Sequence, residues 1–129
     1  MPKKKLTRSK IVKKLDNIFS QYIRLSNSKN GNCTCITCGK VGDWKNGGMQ
    51  AGHFMSRKHY ATRWNEDNVK PQCIACNMFK AGEQYKFSLY LGGKLSEELL
   101  QKSRETVKFA DVDLIEMADY YSNKVKLLL

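Results

Sequence analysis

A chain of 129 residues is long enough for one domain with an ordinary hydrophobic core. Its 23 Lys and Arg outnumber 12 Asp and Glu, a formal net charge of +11, which points to a polyanionic partner, nucleic acid before an acidic membrane surface. No run of about 18 apolar residues is present to cross a membrane, and no basic amphipathic helix with an apolar anchor stands out to lie on one.

The charge is uneven. Residues 1–93 hold 17 basic and 5 acidic side chains, whereas residues 94–129 hold 6 and 7. At the start, Pro2 and the basic arm Lys3–Lys5 replace the apolar run of a secretory signal. The expectation is a chain in a reducing cytosol, where Cys-x-x-Cys pairs favour metal over disulfide. Residues 6–27 read as a helix, with Ile11, Leu15, Ile18, Tyr22 and Leu25 at helical spacing and Val12, Phe19 and Ile23 beside them. Its opposite face carries Lys10, Lys13, Lys14 and Arg24.

Residues 33–59 are rich in Gly, Cys and short apolar pieces, and predict a zinc knuckle and then a short β-hairpin, with one strand at residues 49–54. Residues 65–71 read as a connecting loop. A helix is expected from Cys73 to Ala81, stopped by Gly82, and another from Glu83 to Leu91, ended by Gly92 and Gly93. Ser96 is placed to cap a helix over residues 97–109, and Asp111 or Asp113 to cap a last one with the stripe Leu114, Ala118, Tyr121, Val125 and Leu128. The flanking helices are expected to pack on each other or on the finger.

The strongest chemical signal is Cys35-x2-Cys38 with Cys73-x2-Cys76. Two residues between cysteines let both thiolates face one ion from a tight turn, and two such pairs complete a tetrahedron for structural zinc. Buried free thiols or a redox pair is the competing reading. The 34 residues between the pairs exceed a simple zinc ribbon. They suit an α+β, treble-clef-like arrangement of knuckle, hairpin and helix, flanked by N- and C-terminal helices in a single domain. Cys33 is left as a spare thiol.

Within that insertion, His53 stands at the end of a strand, and residues 51–57, 63–68 and 72–77 form a spaced set with Gly82 and Tyr85. This set resembles the HNH endonucleases and, more closely, the phage lambda NinG (Rap) family of recombination proteins, over residues 35–100. The resemblance implies a ββα-metal finger spanning residues 33–82. It also implies a metal-dependent endonuclease acting on branched DNA such as Holliday junctions or D-loops, encoded by a phage or prophage and working in a bacterial cytoplasm. Phosphodiester hydrolysis needs a base for water and positive charge at the phosphate.

In that scheme neutral His53 is the general base, and Asn68 would hold its ring. Asn77 would offer an oxygen to a catalytic Mg²⁺ or Mn²⁺, and Arg57, Lys58, Arg63 and Lys80 would hold DNA phosphates. Many HNH nucleases place an acidic or histidine ligand just before the base. Here Gly52 stands there, which leaves Gln50 on the same strand face, or His59, Glu66 and Asp67, as substitutes. Trp64, Phe54 and Phe79 are expected in the core around the zinc. A homodimer would suit a symmetrical junction. The alternative reading is a non-catalytic zinc module that binds DNA or RNA.

Overall fold

The computed structural model describes residues 6–129, so the Lys3–Lys5 arm lies outside the described residues. Helix α1 (Arg8–Ser26) opens on Thr7, whose hydroxyl accepts from the Lys10 N–H. Strands β1 (Asn32–Thr34) and β2 (Val41–Asp43) form one small antiparallel sheet. Strands β3 (Met49–His53) and β4 (Val69–Cys73) form a second, separated by the one-turn helix α2 (Tyr60–Arg63). A π-helical turn (Ala75–Phe79) follows β4, then α3 (Gln84–Leu91), α4 (Gly93–Ser103) and α5 (Asp111–Leu128). The domain is thus mixed α+β, with two small sheets among helices.

Helices α1 and α5 build the main core. Ile11, Leu15, Phe19 and Ile23 meet Leu114, Ala118 and Tyr121, with Trp64 and Val69 beneath them. The Phe19 and Tyr121 rings meet edge to face with centroids 4.9 Å apart. At the rim, the Glu66 carboxylate accepts from the hydroxyls of Tyr22 (2.9 Å) and Tyr121 (3.3 Å). Burial, with that carboxylate, raises the pKa of both phenols and keeps them protonated donors. Ile18 and Tyr22 lie at the core's edge, and Leu128 is exposed.

Four boundaries differ from the sequence pattern. The partner of β3 is not a neighbouring hairpin strand but β4, and β4 begins at Val69, inside the expected loop. Polar residues 65–68 and Pro71 hide that strand. Asn65 Oδ1 accepts the Asp67 N–H in a local turn, and Pro71, which has no N–H, sits in a two-stranded sheet where outward N–H groups are dispensable. The helix from Cys73 is instead a π-helical turn ending at Phe79. Three successive residues with positive φ then turn the chain: Ala81 (50°), Gly82 (81°) and Glu83 (49°).

Ser96 lies inside α4, which opens at Gly93; its hydroxyl donates to the Ser88 carbonyl. That helix stops at Ser103 rather than Phe109, because Phe109 is drawn onto Trp64, with ring centroids 5.8 Å apart. Asp113 does serve the start of α5, where its carboxylate accepts the Ala110 N–H at 2.9 Å.

Leu15 is fully buried between α1 and α5. Leu15→Ala is expected to cost about 2–5 kcal/mol, read as a lower urea midpoint at unchanged slope. A cost near zero would contradict this core.

Candidate metal centre and groove

The Sγ atoms of Cys35, Cys38, Cys73 and Cys76 all lie within 4.8 Å of one another, and those of Cys38 and Cys73 are 3.6 Å apart. Thiolates bound to one zinc at about 2.3 Å stand about 3.8 Å apart by tetrahedral geometry, so this cluster is able to hold a metal ion such as zinc. The first pair sits on the turn after β1. The second spans the end of β4 and the π-helical turn, where the Cys76 N–H reaches back to the Cys73 sulfur (3.5 Å).

A hydrogen-bonded chain supports the cluster. The Gln72 amide donates to the Thr37 hydroxyl (3.1 Å), which leaves the Thr37 proton for the Cys35 sulfur (3.3 Å). Burial opposes ionisation of Cys35, yet the Thr37 hydroxyl and nearby N–H groups outweigh it and bring the thiol down to about 6. Burial pushes Cys76 up to about 12. Cys33 is buried beside the group but is not one of the four, and burial raises its pKa.

A groove of about 770 Å³ opens along β3. Asp16 and Phe19 of α1, Gln50 and His53 of β3, and Asn77 and Met78 of the π-helical turn line it. His53 follows Ala51 on the sheet face that packs toward α1. Its Nε2 lies 2.9 Å from the Arg63 carbonyl. A carbonyl only accepts, so Nε2 carries the hydrogen and Nδ1 keeps its lone pair. Burial lowers the pKa of His53, and Arg57 and Arg63 reinforce that against the Arg63 carbonyl and Asp16. The ring is therefore neutral at pH 7.

Asn68 does not hold this ring. It is fully buried, and its amide joins the Met55 backbone (2.7 and 3.0 Å) to the Thr62 carbonyl (3.0 Å), bracketing the β3–β4 connection. Asn77 and Gln50 do come together: the Asn77 amide donates to Gln50 Oε1 at 2.8 Å. His59, Glu66 and Asp67 do not line the groove.

Gly52 has a steric explanation. A Cβ there would lie 1.8 Å from Gln72 Oε1, so the buried glutamine fills the place of a ligand side chain.

Arg63 is not free for phosphate. Its Nε and Nη2 fork onto Asp16 at 3.1 and 2.6 Å, its Nη1 donates to the Arg57 carbonyl at 2.9 Å, and its side chain is only 15% exposed. Arg57, Lys58 and Lys80 are exposed. Of the three aromatics assigned to the zinc core, Trp64 is buried in the α1–α5 core instead, and Phe54 stacks on Phe87. Phe79 is 82% exposed. Asp16 also lines the groove, and nothing in the sequence marks it, since it is one polar position on an amphipathic helix.

The bacteriophage lambda NinG protein profile matches residues 2–129. The chain belongs to that family. No curated protein and no solved structure was found to match it. The match runs through α1 and α5 as well as the cysteine pairs. Among the described residues no helix is long and apolar enough to cross a membrane.

Gly52→Ala is expected to displace Gln72 and to lower stability by about 1–3 kcal/mol in denaturant unfolding. An unchanged midpoint would show that Gln72 does not occupy that space.

Proposed function

We propose that this NinG chain is a metal-dependent DNA endonuclease of the HNH type, acting on branched recombination intermediates. The observation that carries the reading is His53: a neutral imidazole in an open groove, with Nε2 anchored on a carbonyl and Nδ1 left to take a proton from water. The order β3, α2, β4 and π-helical turn is compatible with the ββα arrangement of such fingers, and the cysteine cluster, holding one structural zinc, would fix its ends. Arg57, Lys58 and Lys80 would contact DNA phosphates. Along the chain after the groove residues Asn77 and Met78, exposed Phe79 and Tyr85 (76% exposed) alternate with exposed Lys80 and Lys86, a composition that suits unpaired bases at a branch.

The side-chain oxygens of Gln50 and Asn77 would hold Mg²⁺ or Mn²⁺ once Gln50 Oε1 is released from the Asn77 amide, and the DNA phosphate would bring the anionic ligands. When bound, the ion would supply positive charge at the scissile phosphate. The chain's own residues do the rest. His53 accepts the proton of the attacking water, Asn68 holds the connection that carries Met55 and Ser56 past the groove, and the exposed cations align the strand. The runner-up is a zinc-containing DNA- or RNA-binding module without catalysis. It is favoured by the groove's single carboxylate, Asp16, being already paired with Arg63.

Purified protein incubated with branched and linear DNA, with and without Mg²⁺ or Mn²⁺, separates the two. The nuclease reading expects metal-dependent nicking, strongest on branched DNA, that falls at least about a hundredfold in His53→Ala. Binding without cutting under every metal condition leaves the runner-up.

Neutral His53 is the working form and its pKa lies below the ordinary 6.5. The rate should therefore be full at pH 7 and fall only as the pH drops through that lowered pKa. A rate that rises on acidification below pH 6.5 would contradict His53 as the base.

A further inference from the structure

The single peptide that accepts from His53 is gripped on both sides by one carboxylate. Its carbonyl belongs to Arg63, and the next residue is Trp64. Asp16 accepts two bonds from the Arg63 guanidinium, at 3.1 and 2.6 Å, and one from the Trp64 indole N–H, at 3.0 Å. The guanidinium also lies over the Tyr60 and Trp64 rings, 5.5 and 5.2 Å from their centroids. Helix α2 is only four residues long, too short to hold itself, and its last carbonyls have no partner within it. The Arg63 N–H bonds the His59 carbonyl and the Asn68 amide holds the Thr62 carbonyl, and to these the two side chains that flank the Arg63 carbonyl add an anchorage on α1.

We propose that Asp16 is a positioning residue for His53: by clamping the Arg63–Trp64 peptide, it fixes which imidazole nitrogen carries the proton and where the other points. Helix α1, outside the sheet that bears the base, is then part of the catalytic device. A fork of this kind is geometrically selective, because a guanidinium offers parallel donors that an ammonium does not. The same contacts would also arise from a mere staple between α1 and the β3–β4 connection. The two differ in what happens at the imidazole. A staple, when cut, lowers stability and leaves the proton on Nε2. A positioning residue, when cut, releases the proton to either nitrogen. The charged groups facing His53 are Asp16, Arg57 and Arg63.

The test uses ring-nitrogen NMR of the ¹⁵N-histidine-labelled full chain, which has only two histidines, with His53 assigned by His53→Ala. Wild type should show a proton on Nε2 and a bare Nδ1. Asp16→Asn, which keeps the shape and removes the charge, should show a mixture of both tautomers at pH 7. Because the inference rests on His53 as the base, DNA nicking is measured in parallel, with kcat expected to fall about ten- to a hundredfold at little-changed KM. If Asp16→Asn loses its fold, Arg63→Lys, which keeps the charge without the fork, gives the same reading.

A folded variant whose His53 stays purely Nε2-protonated overturns the inference. A wild type that cuts no DNA while the tautomers still shift in Asp16→Asn sinks the nuclease reading alone.

Discussion

Four thiols within 4.8 Å of one another are the constraint on which the rest of the structure depends. The Thr37 hydroxyl and nearby N–H groups favour the thiolate of Cys35, whereas burial disfavours that of Cys76. Four adjacent sulfurs can all carry negative charge only around a cation, so an ion held by them would join the turn after β1 to the end of β4. Such a junction would close a long stretch of chain on itself. The π-helical turn starts at this cluster, and its Asn77 and Met78 line the groove. Thr37 and Gln72 tie the two together, since the same buried amide that supports the Cys35 contact also fills the space above Gly52.

The groove lies between two separately built cores. The cysteine cluster with Met49 forms the smaller one, and α1 against α5 forms the larger. β3 touches both: Met49 sits in the smaller core, Ala51 packs against the larger, and His53 ends the strand at the groove. Asp16 sits where the larger core reaches the groove. Its two-pronged bond to Arg63 is mostly shielded from water, a setting in which losing one partner is far more damaging than the loss of a surface pair. By contrast, Arg8 and Asp111, also joined at 2.9 Å, are both exposed and contribute little.

Features governed by local rules were legible in the sequence. The paired cysteines, the α1 stripe, the strand ending at His53 and the stop at Gly92 each follow from spacing or from a residue's own backbone preference. Features decided by distant partners were not. β4 was concealed because Val69–Cys73 becomes a strand only by pairing with β3. Arg63 read as a phosphate contact because nothing local reveals that Asp16, 47 positions earlier, takes its guanidinium. Asn68 read as a partner of His53 because both are polar and near the same turn, whereas the backbone of a buried connection claims its amide. Phe79 read as core because it is aromatic. The π-helical turn adds a residue to the turn and so rotates it outward.

A metal-bound clamp of the four cysteines is expected to hold His53 in its anchored state. Native mass spectrometry of the intact chain, followed by histidine ring NMR before and after removal of the metal with a thiol-competing chelator, tests it most directly. The account predicts one zinc ion per chain, and loss of the single Nε2-protonated form of His53 when that zinc is removed. A metal-free protein as purified, or a His53 ring unchanged by stripping the metal, would contradict it.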